Sequence, residues 1–403
     1  MNDSREKAIR LFVLVLVCVA LAGGLSNKIF SNYFKEAYEV TSAQRGFIEI
    51  PRESPGILCM VIVAALGFLG NIRLAILAQV LTLIGITVMG FLSPSYGIML
   101  IFLFLNSAGE HLFMPLNDAI SMSLAKEGEV GTTLGKFKGV STAGSLVAAC
   151  AVFIGFRVGF FSLTDRVILP FAIAAGLLAV AVVLLIWLDR LMPGGGGEAK
   201  SSKLLIKKKY LPYYMITLAY GCQKRIRIVF APWVIIELLH QGADVTALLT
   251  IAVYLIGMAV APLVGRLLDR LDVKKMLLVE AGYMVAAFCF MGALAGQLAS
   301  GSFQAGGAKV LLVYAGYVFC MLFDYFGMVQ SMVVRNIAED SGEVTKTLSV
   351  GLGVDHVMAI IASPLLGLVW AQAGAQYVFY VAALSSIVQV VMSRFVKERK
   401  RLV

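Results

Sequence analysis

The chain of 403 residues is 60% hydrophobic and only 14% charged, with a mean hydropathy of +0.88, a balance that excludes a water-soluble globular domain. Its net charge of +10 would suit a nucleic-acid partner, but the positions of the bases make one unnecessary. A bilayer core takes about 20 apolar residues per helix, and apolar runs of that length recur along the whole chain, so the sequence reads as an all-α integral membrane protein.

Twelve spans fit, at 9–34, 43–69, 74–92, 97–124, 132–156, 167–189, 210–238, 245–265, 276–298, 310–337, 347–371 and 376–394. The first run, LFVLVLVCVALAGG, has the character of a signal-peptide core, yet it continues into a long helix with no clear cleavage site, and it reads as a retained first span. With the N-terminus in the cytoplasm, Lys35, Arg45, Arg157, Arg166 and Lys309 fall on outer ends. Lys28, Arg52, Lys136, Lys138, Lys224, Arg225 and Arg227 fall inside the membrane, and all other Lys and Arg residues lie on cytoplasmic ends and loops. That asymmetry predicts a multi-pass protein of the plasma (inner) membrane with both termini cytoplasmic and no nucleic-acid partner. The six cysteines all lie within spans without CxxC spacing, as packing residues do.

Residues 191–209, LMPGGGGEAKSSKLLIKKK, are the one long polar, glycine-rich and basic interruption. They divide an N-terminal set of six spans (1–190) from a C-terminal set (210–403). The halves match weakly. GEVGTTLGKFKGV (128–140) falls on GEVTKTLSVGLGV (342–354) at the offset that sets Glu110 on Asp324, and LAGGLSNKI (21–29) falls on LAYGCQKRI (218–226), setting Lys28 on Arg225. Repeats of this kind predict two pseudo-symmetric six-helix bundles with a binding site between them at mid-depth.

After span 8, GRLLDRLDVKK (265–275) carries Gly265, Asp269, Arg270, Lys274 and Lys275 in a spacing that resembles the loop signature of the major facilitator superfamily, G-x-x-x-D-R-x-G-x-R/K-R/K. Asp272 stands where that family usually has glycine. After span 2, GFLGNIRLA keeps Gly67, puts Asn71 in the acidic position and displaces Arg73 by one, as a degraded copy. The resemblance implies transport by alternating access, with the 265–275 loop helping to hold the cytoplasmic side closed. It also implies that helices 1, 4, 7 and 10 line a central cavity, helices 2, 5, 8 and 11 flank it, and helices 3, 6, 9 and 12 stand outside.

The charges at depth fit that plan. To the seven buried bases correspond the acids Glu49, Glu53, Glu110, Asp118, Asp324 and Asp355, with Glu280 less deep. Each charge at the bilayer centre costs roughly 2.5–3.5 kcal/mol on insertion scales, so these groups must face water, solute or one another. On span 10, Tyr317, Asp324, Ser331 and Arg335 recur near one face; on span 7, Thr217, Tyr220, Lys224 and Arg227 form a stripe with Arg225 about 100° away. Span 4 has two stripes, Asn106/Glu110/Asn117/Ser121 and Ser107/His111/Asp118, and the sequence does not choose between them. Pro51, Pro55, Pro115, Pro232 and Pro364 each free a backbone carbonyl and bend their helices.

Glu110 and Asp324 read either as partners in structural ion pairs, for example with Lys138 or Arg225, or as proton carriers. Glu110–His111 and Asp355–His356 raise the question of a divalent metal, but neighbours on a helix diverge by about 100° and no ExxH spacing is present, so no metal or other cofactor is expected. No GxxxxGK[ST] motif and no catalytic triad occurs, which points away from an ATP-driven pump and from an enzyme. The expectation is a secondary transporter, functional as a monomer, for a small polar and anionic solute, coupled to protons. Lys28, Arg225 or Arg227 would hold the anion, Glu110 or Asp324 would carry the proton, and Glu53, His111, Asp118, Lys138, Lys224, Tyr317, Asp355 and His356 would complete the site. The alternatives are a drug or cation efflux pump, a divalent-metal transporter, a non-transporting receptor and a lipid handler.

Overall fold

A computed structural model describes residues 2–92, 94–125, 130–192, 207–302, 307–338 and 341–396. The linker of the sequence reading falls mostly outside these residues. The described residues form helices and their connections, with no strand among them. Among the described residues, ten helical segments are long and apolar enough to cross a membrane. The two remaining helical stretches, 42–66 and 211–238, carry Glu49, Arg52 and Glu53, and Lys224, Arg225 and Arg227, respectively.

The first predicted span is two helices, α1 (Asn2–Ser26) and α2 (Phe30–Tyr38), joined by a turn at residues 27–29. The second begins with a short helix α3 (Ser42–Phe47), started by a capping box in which Thr41 accepts from the Gln44 amide and Gln44 accepts from the Thr41 amide. It continues as α4 (Glu49–Leu66) and a 3₁₀ turn (Gly67–Leu69). Pro51 sits in the first turn of α4, where a missing N–H costs nothing, so it does not interrupt that helix; Pro55 lies inside it. Single helices follow as α5 (Asn71–Phe91), α6 (Tyr96–Leu124), α7 (Val130–Arg157) and α8 (Leu169–Leu191).

Span 7 departs furthest from a regular helix. It consists of α9 (Leu211–Arg225), a π-helical stretch (Ile226–Phe230), a single turn α10 (Ala231–Trp233) and a second π stretch (Val234–Leu238). Pro232 lies between the two π stretches, where its missing N–H and its ring prevent regular α-helical bonding, and the wider turns absorb the mismatch. Then come α11 (Ala243–Arg270), α12 (Val273–Ala299), α13 (Ala308–Leu322), a 3₁₀ turn (Phe323–Phe326), α14 (Gly327–Ile337), α15 (Ser341–Gln372) and α16 (Ala375–Ser393).

These elements fall into two compact units, the first drawn from Met1–Tyr38, Pro51–Ser201 and Ala243–Leu248, the second from Glu39–Ile50, Ser202–Gly242 and Leu249–Val403. In the first, α1 packs on α7 and α8, and α5 packs on α6 and α8. Its core gathers Phe12, Leu16, Ile72, Leu112, Leu116 and Leu185, with the Phe137 ring edge-on to Phe12 at 5.5 Å. In the second, α12 packs on α16, α15 on α3 and α9, and α16 on α9. Apolar side chains such as Ile101 and Leu384 remain 60% and 65% exposed, as expected where lipid is the solvent.

Candidate functional site

The charges of α9 are held inside the second unit. Lys224 Nζ donates to Asp355 Oδ2 of α15 at 2.6 Å, and the Arg225 guanidinium lies 3.6 Å from the same carboxylate oxygen. Arg225 also approaches Glu49 at 3.7 Å, and Glu49 in turn accepts from Arg45 of α3 at 2.7 Å. Arg45, Glu49 and Arg225 keep 1%, 0% and 3% of their side-chain surface. Within this cluster three bases, Arg45, Lys224 and Arg225, gather around the Glu49 and Asp355 carboxylates. Groups so deeply removed from water persist as ions only with close partners, and removing one partner costs far more than a surface pair.

Arg227 goes elsewhere, donating to Asp324 Oδ1 at 2.6 Å. Its guanidinium is 5% exposed, whereas the Asp324 side chain is 61% exposed. Lys224 and Arg227, which share a stripe, thus take different acids, whereas Arg225, set about 100° from that stripe, shares Asp355 with Lys224. The α-helix ends between Lys224 and Arg227, and π geometry changes the angle per residue from Ile226 onward. The stripe of span 10 is likewise broken. Tyr317 is buried while Asp324, Ser331 and Arg335 are exposed, and a 3₁₀ turn at Phe323–Phe326 separates α13 from α14 within this span. His356 is buried beside Asp355.

Behind the ion pairs, α9 contributes a second polar group. Gln223 donates to Gln389 Oε1 at 3.2 Å and to Ser386 Oγ at 3.1 Å, both on α16, and Ser386 and Gln389 also contact Met284 of α12 at 3.8 Å. One turn from Met284, Glu280 is fully buried. The sequence reading placed it less deep, because burial depends on the helices packed around a residue as well as on its distance from a span end.

The first unit has its own polar cluster. Asn27, in the turn between α1 and α2, donates to Glu110 Oε1 of α6 at 2.7 Å. Neither Lys138 nor Arg225 takes that role, and Lys138 lies exposed on α7. The His111 Nε2 lies 3.9 Å from Glu53 of α4, and its Nδ1 lies 2.9 Å from the Ser107 carbonyl. The Ser107 hydroxyl bonds to the Arg52 carbonyl. Both stripes of α6 thus have neighbours: Glu110 meets the α1–α2 turn, Ser107 and His111 meet α4, and Asn106 meets Thr82 of α5. Asp118, Lys28 and Lys136 are exposed.

Sequence reasoning left Arg45 in an outer loop and Glu49 outside the candidate set, yet both belong to the α9 network. Their i, i+4 spacing was a usable sign of a helical ion pair. Asn27, a neutral residue, carried no such sign.

The 265–275 segment closes α11 and opens α12. Gly265, Asp269 and Arg270 lie in the last two turns of α11, and Lys274 and Lys275 lie in the first turn of α12. Asp272 caps α12, accepting from the Lys275 amide at 2.8 Å, with its carboxylate 3.2 Å from Lys275 Nζ. Its φ of −70° needs no glycine, which accounts for the departure at this position. The Lys275 backbone hydrogen bond is the main cause holding the Asp272 carboxyl below the usual aspartate range. In the first-half copy, Gly70 takes the capping position with a φ of +82°, and Asn71 is the first residue of the following helix. Asn71 therefore does not stand where Asp269 stands, in the last turn of the preceding one.

Paired bundles with charges drawn to a few broken helices define a membrane transporter. The sequence matches the Major Facilitator Superfamily over residues 12–351, and the chain belongs to that family. Its fold is shared by a POT family transporter in complex with a thioalcohol-conjugated peptide, with a TM-score of 0.74 and 12% identity over 96% of this chain and 95% of that one. A D-xylose-proton symporter gives 0.68 and 16% over 98% of each chain, and the nucleoside transporter NupG gives 0.70 and 14% over 98% and 100%. No curated protein matches the chain in sequence.

Proposed function

We propose that the chain is a secondary active transporter that moves a small polar anion across the plasma membrane by alternating access, coupled to protons. The observation that carries this reading is the concentration of three bases, Arg45, Lys224 and Arg225, around the Glu49 and Asp355 carboxylates inside an apolar part of the chain. A solute carboxylate, phosphate or sulfate would be attracted to these bases, with Arg225 offering a planar pair of donors and Lys224 a point charge. A cation would meet repulsion there, which disfavours a drug or cation exporter. Asp324 suits a proton carrier, since it is exposed while its partner Arg227 is not. A proton on Asp324 would release the Arg227 guanidinium toward the solute, linking the two events. Glu110, held by Asn27, is the corresponding acid of the first unit.

In this reading Gly265, Asp269, Arg270, Lys274 and Lys275 hold the cytoplasmic side closed, both termini are cytoplasmic, and one chain suffices for transport. Solved structures of this fold carry names that include peptides, D-xylose and nucleosides, so the fold does not choose the solute. Uptake of a panel of small anions into proteoliposomes, with and without a pH gradient, tests the proposal. Accumulation should require the gradient and should fall in Arg225→Ala and Glu110→Gln. Undiminished uptake in both variants overturns the residue assignments, and transport of cations or neutral solutes alone overturns the anion.

A further inference from the structure

We propose that Glu280 on α12 is a proton-binding site of the second unit, distinct from the acids of the α9 ion pairs, and this rests on the proton coupling proposed above. Glu280 has no exposed surface, and neither carboxylate oxygen has a hydrogen-bond partner among the described residues. A carboxylate in that setting would be a bare charge in an apolar interior, so the side chain is held as the neutral acid.

Its surroundings connect it to the charged site. Tyr220 of α9 lies in the neighbourhood of Glu280 as well as of Arg227, Asp324 and Asp355. The Tyr220 ring packs on Phe323 at 4.9 Å, and its hydroxyl reaches Gly327, where an added Cβ would stand 2.9 Å away. Three residues along α14, the Gln330 Nε2 is also buried without a hydrogen-bond partner among the described residues. Glu280 lies seven residues from the start of α12 and Gln330 seven from the end of α14, and these two helices pack together. The ionisable groups on the other elements packed against α12 are Lys309, Tyr314, Tyr317 and Cys320 on α13, Asp324 and Tyr325 in the 3₁₀ turn, Arg335 on α14, Glu237 in the second π stretch, and Tyr377 and Tyr380 on α16. None of them hydrogen-bonds Glu280, and no base pairs with it among the described residues. Glu280 therefore takes up a proton delivered past the Tyr220 hydroxyl, and it gives that proton to water when the helices packed on α12, chiefly α16 and α13, part and wet the site.

Infrared spectroscopy of the purified, reconstituted full chain at neutral pH reads the bound proton directly. A protonated-carboxyl band present in the wild type should be missing from Glu280→Gln; an identical band in both overturns the proposal. Glu280→Met, which fills the space with no polar group, should melt no lower than the wild type. A markedly lower melting temperature means that Glu280 makes an ionised contact, and also overturns it. In uptake assays Glu280→Gln should lose stimulation by a pH gradient while keeping gradient-free exchange of the anion, and retained stimulation rules out the coupling role. If the wild type takes up no anion, the transport reading fails, while the infrared and melting experiments still decide the protonation of Glu280.

Discussion

Lys224 holds Asp355 at 2.6 Å, and the same carboxylate oxygen lies 3.6 Å from Arg225, so one acid from α15 answers two adjacent bases of α9. Removing a single member of a buried pair leaves an uncompensated charge at a cost of about 3–5 kcal/mol, and the 27% exposure of Lys224 puts this pair near the lower end. Asp355→Leu should therefore destabilise the protein strongly, and Lys224→Met added to it should recover part of the loss. Denaturation in detergent of the two single variants and the double variant closes the cycle; strict additivity would mean that the pair is not coupled.

Glu49 answers Arg45 and Arg225 together. Glu49→Gln keeps the shape and removes the charge, leaving two nearly inaccessible guanidinium groups facing each other across a neutral amide. We expect a loss of about 3–5 kcal/mol, larger than for Glu6→Gln at the exposed Glu6–Arg10 pair, which should change stability by less than about 1 kcal/mol. Equal effects at the two sites would contradict the burial of the network.

The α3–α15 contact depends on small residues. A Cβ at Gly46 would collide with the Ser363 carbonyl, and one at Gly367 would stand 2.8 Å from the Ser42 carbonyl. Gly46→Leu should separate the two helices, costing about 1–3 kcal/mol as overpacking does, and it should also weaken the Arg45–Glu49–Arg225 contacts. A lower melting temperature together with lost uptake is the expected result, and an unchanged melting temperature would contradict the close approach.

The Asp272 cap is pH-dependent with a definite sign. Because the folded carboxyl is held below its ordinary range, the stability it adds is fully present above that range and disappears as pH falls through the depressed folded value. Hydrogen exchange of the Lys275 amide should accordingly be slow near neutrality and, corrected for intrinsic rates, lose protection only in acid. Asp272→Ala should remove the protection at all pH values, at a cost of about 1 kcal/mol in the stability of the first turn of α12.

Much of this arrangement was legible in the residues. The loop at 265–275, the polar linker and the recurring apolar runs pointed to the family that the profile match assigns. Asp324 and Asp355 were recognisable as acids at depth, because charge in an apolar run requires a reason. Their partners were harder to read. The pairing of Arg227 with Asp324 depends on the rotation of two helices that are both irregular, one by π turns and one by a 3₁₀ turn. Asn27 reaches Glu110 only because α1 ends at Ser26. Glu280 looked shallow from its place near the start of a span, whereas the helices packed around α12 seal it completely.

By itself the sequence determined that the chain is a multi-pass membrane protein and which of its apolar segments carry charge, since hydropathy and charge are local properties of consecutive residues. Only the tertiary structure decided that Arg45 and Glu49 join Arg225, that Lys224 and Arg227 part company, and that Glu280 has no partner among the described residues. Those outcomes depend on helix rotation, and a few π or 3₁₀ residues turn a side chain by tens of degrees, enough to exchange one partner for another.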